Sequence, residues 1–115
     1  MCYIITMFSL EYADQSVKNI VPRIIEYARP KSIVLFGSAL HGTADGVNDL
    51  DFLVIVSDSI KPSAVADSLN VNLRNKPMPC DFVVATTSQI KKHRSDSSSI
   101  YTVALAEGRE VYAQR

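Results

Sequence analysis

The 115-residue sequence predicts a small α/β fold in which helices flank one mixed sheet of three to four strands. Some segments repeat apolar residues at helical spacing, whereas others are short, continuous apolar runs bounded by glycine, proline or serine. The two kinds of segment are interspersed along the chain, and 47% of the residues are hydrophobic, which is enough for one packed core. We therefore predict a single domain over residues 1–115.

The first predicted element is a helix that follows Asp14. Its apolar stripe has the spacing of a helix buried on one side and consists of Val17, Ile20, Val21, Ile24, Ile25 and Ala28. Pro22 lies inside this stripe and predicts either a kink or a division into two shorter helices, whereas Pro30 ends the helix. Residues 1–13 are expected to form an irregular N-terminal segment.

Three predicted strands, residues 32–36, 50–56 and 80–85, are short apolar runs, and the first two are rich in β-branched residues. A helix over residues 62–74 joins the second strand to the third, because Pro62 is suited to the first turn of a helix. This order of strand, helix and strand is typical of an α/β sheet.

The C-terminal third predicts two helices and a last strand. Residues 87–94 have the pattern of a short helix, and residues 100–107 have that of a second helix. Gly108 is placed as its C-terminal cap. Residues 109–113 are expected to add a short strand to the sheet.

Composition limits the function classes. Twelve basic and twelve acidic residues cancel, so the chain lacks the basic excess of proteins held mainly on nucleic-acid phosphates. The basic run over residues 91–94 keeps a local nucleic-acid or triphosphate contact open, although a solvated helix face explains it more simply. Cys2 and Cys80 form no C-x-x-C pair, and the apolar N-terminus is too short to span a bilayer. We expect a cytoplasmic protein without a membrane segment.

Two carboxylates, Asp49 and Asp51, stand at the start of the second predicted strand. Residues i and i+2 of a strand share a face, so the two charges lie side by side and repel unless a cation holds them. Asp81 opens the third strand, and its carboxylate reaches the same place if the two strands are neighbours. Such oxygen ligands suit Mg²⁺, and three acids are the minimum for a site with two metal ions. Ordinary turn chemistry also explains an Asp-x-Asp pair, and this interpretation stays open.

Gly37 and Ser38 directly follow the first predicted strand. Such a turn can direct backbone N–H groups and a hydroxyl at a phosphate. The sequence is not a P-loop, because no Gly-Lys-Ser/Thr follows, and it lacks the G-x-G-x-x-G pattern of dinucleotide-binding folds. The combination of a Gly-Ser turn with three strand-borne acids indicates phosphate chemistry.

This order of motifs resembles the minimal nucleotidyltransferases of the DNA polymerase β-like superfamily. Their pattern is Gly-Ser, three residues, Gly, and then Ser-Asp-x-Asp in a hydrophobic strand, with a third acid on a later strand. The matching positions are Gly37-Ser38, Gly42, Asn48-Asp49-Leu50-Asp51 and Asp81. The closing LAEGREVYA resembles the family's last helix and strand, so the resemblance runs from about Val17 to Tyr112.

The resemblance implies a role for each matching position. Asp49 and Asp51 would hold the nucleotide-bound Mg²⁺ and share a second ion. Asp81 would complete the site and, with that second ion, favour deprotonation of the attacking hydroxyl. The phosphates and the nucleotide would be contacted by Gly37, Ser38, Gly42 and Asn48. The implied reaction is transfer of a nucleoside monophosphate, AMP from ATP, to a hydroxyl with release of pyrophosphate.

The resemblance also implies a partner, a small all-helical HEPN-type toxin, for which such domains act as antitoxins by adenylylating a tyrosine. Two departures from the family pattern stand beside it, since Ala39 replaces a common arginine and Asn48 replaces the usual serine. A nucleotide-binding or partner-binding module without turnover therefore remains an alternative, as does a domain whose acids bind nothing. The sequence specifies neither the acceptor nor the oligomeric state, and a homodimer stays open.

Overall fold

The computed structural model of the chain describes residues 10–37, 47 and 49–114. Its elements in chain order are α1 (Leu10–Ala28), β1 (Ser32–Phe36), β2 (Leu50–Val56), α2 (Pro62–Asn72), β3 (Cys80–Thr86), α3 (Thr87–Lys92), α4 (Ile100–Glu107) and β4 (Arg109–Ala113). The strands form one mixed sheet in the order β3-β2-β1-β4. Strand β1 is antiparallel to β2 and β4, whereas β2 and β3 are parallel. The predicted fold class is confirmed.

Helix α1 differs from its prediction in two ways. It begins at Leu10, so the expected start after Asp14 was late, and the expected irregular segment is wrong for residues 10–13. Residues 1–9 lie outside the described part. The helix also continues through Pro22, so the predicted division into two helices is wrong. Pro22 lacks an N–H for the helical ladder, but Ile20 and Ile24 beside it are completely buried, and this packing outweighs the loss.

Each face of the sheet packs against different helices. The face that we call the main face carries the larger core and is covered by α1 and α2; its strand residues include Ile33, Leu35, Leu50, Phe52, Val54 and Val56. The opposite face, which we call the second face, carries a smaller cluster of Val34, Leu53 and Ala85 against Ala104 of α4. Because strand residues alternate between faces, successive residues of β1, β2 and β3 point in turn to the main face and to the second face.

Strands β2 and β3 are joined by α2, which spans Pro62–Asn72 and ends two residues before the predicted end. Their parallel register pairs Asp51 with Asp81, and the antiparallel register of β1 pairs Phe36 with Asp51. The end of β1 and the starts of β2 and β3 therefore meet at one edge of the sheet. Among the described residues, no helix is both long and apolar enough to cross a membrane.

Helix α4 ends at Gly108, as predicted, but for a different reason. The backbone of Gly108 is extended, with φ −83° and ψ 172°, and so it is not the left-handed cap that glycine commonly provides. A Cβ at this position would overlap the Ala104 carbonyl oxygen and lie 2.9 Å from that of Leu35. The glycine is required because α4 turns directly onto β1 and leads into β4.

Candidate active site

Three carboxylates converge at the edge of the sheet where β1 ends. Asp49 directly precedes β2, Asp51 is the second residue of β2, and Asp81 is the second residue of β3. One oxygen atom from each side chain lies within 4.8 Å of the others. Asp49 and Asp51 are half-buried, and Asp81 is exposed. The parallel register of β2 and β3 thus assembles an all-oxygen cluster that opens to solvent on the Asp81 side.

Within the cluster, Asp51 is flanked by the negative charges of its two neighbours. Burial, the neighbouring charge of Asp49, the charge of Asp81 and a hydrogen bond with Asp81 together raise the pKa of Asp51 to about 6. Each of these causes disfavours the ionised carboxylate, with burial contributing most. A bound cation would lower the pKa of Asp51 again, because it stabilises the ionised form of all three carboxylates and offsets their mutual repulsion. The donor set suits a hard divalent cation such as Mg²⁺.

Gly37 forms the turn at the end of β1, where the chain passes directly over Asp51. Its φ is +80°, a conformation that residues with a Cβ rarely adopt. A Cβ at Gly37 would also overlap the Asp51 carboxylate. The structure therefore gives this glycine a steric role at the cluster. The other residues predicted to contact the nucleotide, Ser38, Gly42 and Asn48, lie outside the described residues, as do Ala39 and His41.

Two residues near the cluster were not selected from the sequence. Lys76 lies in the turn before β3, where its ammonium donates to the Leu73 carbonyl at 2.5 Å. The pKa of the Cys80 thiol is raised to about 12, chiefly by burial, while Lys76 lowers it and the three carboxylates raise it. Cys80 packs against the main face and stays a neutral thiol, and the Lys76 ammonium lies near enough to affect it. Apart from the position of Lys76 in the turn before β3, the sequence carries no signal for this arrangement.

The basic run over residues 91–94 lies elsewhere. It belongs to α3 and the turn after it, which follow the far end of β3. Asp81 and Thr86 are separated by five residues of strand, which amounts to about 16 Å at the usual rise. The sequence interpretation of this run as a triphosphate contact therefore gains no support from the fold.

A comparison with known protein families agrees with this geometry. A family model described as a nucleotidyltransferase domain matches residues 16–105, a range that contains all three carboxylates. No curated protein matches the chain. Among solved structures, the chain is similar to a crystal structure of a mutant of the toxin–antitoxin MntA–HpeT, with 21% identity over 85% of this chain and 73% of that chain and a TM-score of 0.45.

Two further crystal structures are similar to the same extent. One is of the toxin–antitoxin MntA–HepT, with 18% identity over 87% of this chain and 73% of that chain and a TM-score of 0.43. The other is of the toxin–antitoxin with AMP-PNP, with 18% identity over 94% of this chain and 76% of that chain and a TM-score of 0.41. The assignment to a family rests on the match over residues 16–105.

Proposed function

The chain belongs to the nucleotidyltransferase domain family, and from that premise we propose that it transfers AMP from Mg²⁺-bound ATP to a hydroxyl acceptor. The observation that carries the proposal is the convergence of Asp49, Asp51 and Asp81 within 4.8 Å. We further propose that residues 1–115 form a single domain that acts in the cytoplasm.

The three carboxylates are proposed to hold two Mg²⁺ ions. Oxygen ligands at one solvent-open edge leave room for phosphate oxygens and water, which Mg²⁺ usually keeps among its ligands. Bound Mg²⁺ would supply charge neutralisation for the triphosphate and the leaving pyrophosphate. The raised pKa of Asp51 supports this fit, because its neighbours Asp49 and Asp81 contribute to that shift by placing like charges around it.

The residues have distinct proposed roles. Asp49 and Asp51 bind the metal ions and are held in place by β2. Asp81, the most exposed of the three, would complete the metal site and, with the second ion, favour deprotonation of the acceptor hydroxyl, whose proton passes to solvent. A new bond forms between the acceptor oxygen and the α-phosphorus while the bond to the β-phosphate oxygen breaks, and pyrophosphate leaves. Catalysis of this kind consists mostly of positioning and charge stabilisation.

The turn at Gly37 would bring the triphosphate onto the cluster. Because Gly37 has no side chain, the backbone approaches Asp51 closely, and the Gly37 and Ser38 N–H groups would contact the β- and γ-phosphates. Gly42 and Asn48 are proposed to continue this nucleotide-binding loop. These roles come from the resemblance of the motif.

For the acceptor we propose a tyrosine hydroxyl of a small helical HEPN-type toxin, with this chain as the antitoxin. This part of the proposal rests on what the family resemblance of the motifs implies. Those motifs do not identify the partner, and the first test is whether a neighbouring reading frame encodes a small helical protein. The label-transfer assay below then uses that protein as acceptor.

A second candidate is a module of the same fold that binds nucleotide or partner without turnover. The observation in its favour is Ala39, which stands where many relatives of the motif carry an arginine. Loss of a phosphate contact would weaken stabilisation of the transition state. It would affect metal binding less, because all three carboxylates are retained.

The deciding experiment is transfer of label from α-³²P-labelled ATP in the presence of Mg²⁺, with cell extract and the neighbouring gene product as acceptors. We expect transfer by the wild type and its loss in Asp49→Ala plus Asp51→Ala. A control with the same change of charge is Glu26→Ala plus Asp67→Ala, since both residues are exposed on α1 and α2. Equal transfer by wild type and the Asp49/Asp51 variant contradicts the proposal, and nucleotide binding without transfer to any acceptor favours the second candidate.

A further inference from the structure

We propose that the cleft between α3 and α4 is a docking site for a partner-protein helix that has acidic side chains beside an apolar face. The cleft has a volume of about 490 Å³. Its described lining consists of Ile90, Lys91, Arg94, Thr102, Leu105 and Ala106. We call it the α3–α4 cleft.

The lining of the α3–α4 cleft combines apolar surface with positive charge on one wall. Ile90, Leu105 and Ala106 supply the apolar contacts, whereas Lys91 and Arg94 carry the charges. The described lining contains no carboxylate. Asp58 lies near enough to Lys91 to feel its charge, but that carboxylate is already hydrogen-bonded to Ser88. The cleft therefore favours a ligand that is apolar on one side and acidic on the other.

The walls of the cleft are tied to each other, so it exists before any partner binds. The Thr102 hydroxyl of α4 donates to the His93 carbonyl at 2.8 Å, and the rings of His93 and Tyr101 lie 5.5 Å apart. Ile90 and Tyr101 also pack against the cluster on the second face of the sheet. A preformed groove lowers the entropic cost of binding.

Helix α4 exposes further apolar side chains outside the cleft. In this helix only Ala104 is buried, whereas Ile100, Val103 and Leu105 are 49%, 38% and 45% exposed. A helix that is apolar on all sides is normally buried on all sides. Leu105 lines the cleft beside the two cations, whereas Ile100 and Val103 lie on another side of the helix. Exposed apolar side chains next to charged ones are typical of protein interaction sites. Nucleic acid would use the two cations but would leave Ile90, Leu105 and Ala106 uncovered, so the observations favour a protein segment.

The α3–α4 cleft opens on the same face of the sheet as the carboxylates. Asp51 lies two residues before Leu53, and Asp81 lies four before Ala85; both Leu53 and Ala85 belong to the cluster on the second face. A partner held in the cleft would therefore lie along the face on which the candidate active site opens. The proposed binding does not require transferase activity, and it is tested by binding alone.

The test uses a fluorescein-labelled 18-residue helical peptide with leucines on one face and glutamates on the other. The comparison ligands are the same peptide with lysines in place of glutamates and an 18-nucleotide oligouridine. Fluorescence anisotropy at low salt is expected to show at least about tenfold tighter binding of the glutamate peptide than of either comparison ligand.

Substitutions then locate the binding. Lys91→Glu plus Arg94→Glu is expected to weaken the glutamate peptide at least about tenfold and to reverse the preference towards the lysine peptide. Leu105→Ser should weaken both peptides, and its exposed position keeps the fold intact. The matched control is Lys18→Glu plus Lys61→Glu, which changes the charge equally at exposed lysines on α1 and before α2 and should bind like the wild type.

Three results would overturn the proposal. One is equal binding of both peptides, or binding that the Lys91/Arg94 and Leu105 variants leave unchanged. Another is tighter binding of oligouridine that depends on Lys91 and Arg94, which would assign the cleft to nucleic acid. The third is a dimer, seen by light scattering, that Leu105→Ser dissociates, because a second copy of the chain would then occupy the cleft.

Discussion

Gly37 shows how one residue meets two structural requirements at the candidate active site. Gly37 begins a Gly-Ser turn after a strand, and this pattern predicts phosphate binding. The structure adds that its φ of +80° and its contact with Asp51 both exclude a side chain. The space required for the Asp51 carboxylate is therefore created by the residue that would also receive the phosphate.

Replacement of Gly37 by alanine should consequently affect stability even without ligand. We expect Gly37→Ala to lower the free energy of unfolding by about 1–3 kcal/mol, since alanine is strained at positive φ and its Cβ meets the Asp51 carboxylate. Urea unfolding followed by circular dichroism measures this loss.

A double-mutant cycle separates the two causes. In an Asp51→Ala background the overlap with the carboxylate is absent, so Gly37→Ala should cost less there than in the wild type, while the part due to φ remains. The same cost in both backgrounds would show that Asp51 does not limit the space at Gly37.

At the scale of elements, α3 is fixed to the turn before α2 by one carboxylate. Asp58 accepts hydrogen bonds from the Ser88 backbone N–H at 2.8 Å and from its hydroxyl at 2.6 Å, across 30 residues of sequence. These bonds to Ser88 lower the pKa of Asp58 below its ordinary value of 3.8. The contact positions α3, which forms one wall of the α3–α4 cleft.

This contact predicts a pH dependence with a definite sign. Because the folded state lowers the pKa of Asp58, its contribution to stability is complete above the unfolded pKa near 3.8 and is lost as the pH falls through the lower folded value. Asp58→Asn should lower the urea midpoint at pH 7 and flatten its decline below pH 4. The measurement is a set of urea midpoints between about pH 7 and pH 2.5.

Ser88→Ala provides the partner variant for this experiment. It removes the hydroxyl donor, so it should flatten the acid limb in the same direction as Asp58→Asn, and the double variant should add little. Additive effects of the two substitutions would contradict a shared contact.

The elements that the sequence predicted well are those whose signals are local. The apolar runs at residues 32–36 and 50–56, and the boundaries marked by Pro62 and Gly108, match the structure because glycine, proline and β-branched residues act over a few positions. The predicted division of α1 at Pro22 is wrong, since the packing of Ile20 and Ile24 against other elements keeps the helix continuous. Tertiary contacts of this kind have no local pattern.

At the scale of the whole molecule, the proposed site depends on strand order. Asp51 and Asp81 are thirty residues apart, and the local pattern around each predicts a carboxylate at a strand start but not that the two strands are neighbours. The parallel pairing of β2 with β3 brings them together, and the antiparallel β1 adds Gly37. The position of Lys76 and the α3–α4 cleft also depend on contacts between elements that are apart in the chain. The spacing of residues in the sequence therefore does not predict them.

The clustered charges predict that the wild type is less stable than Asp51→Asn without ligand and more stable than it with Mg²⁺ and ATP. Without divalent cations, Asp51→Asn should be more stable than the wild type by about 1 kcal/mol or less, because it removes repulsion at a partly solvated site. With Mg²⁺ and ATP at a hundred times the Kd, the wild type should gain about 2.7 kcal/mol, whereas Asp51→Asn should gain far less. Thermal unfolding with and without Mg²⁺ and ATP measures both differences.

The control for this reversal is Asp67→Asn, which removes the same charge at an exposed position on α2 and should respond to Mg²⁺ and ATP like the wild type. A wild-type Tm that Mg²⁺ and ATP leave unchanged would mean that the acids bind nothing. An equal gain in the wild type and Asp51→Asn would place the ligand away from the three carboxylates. A reversal seen with Asp51→Asn but not with Asp67→Asn would show that the same three charges both destabilise the protein without ligand and bind the ligand when it is present.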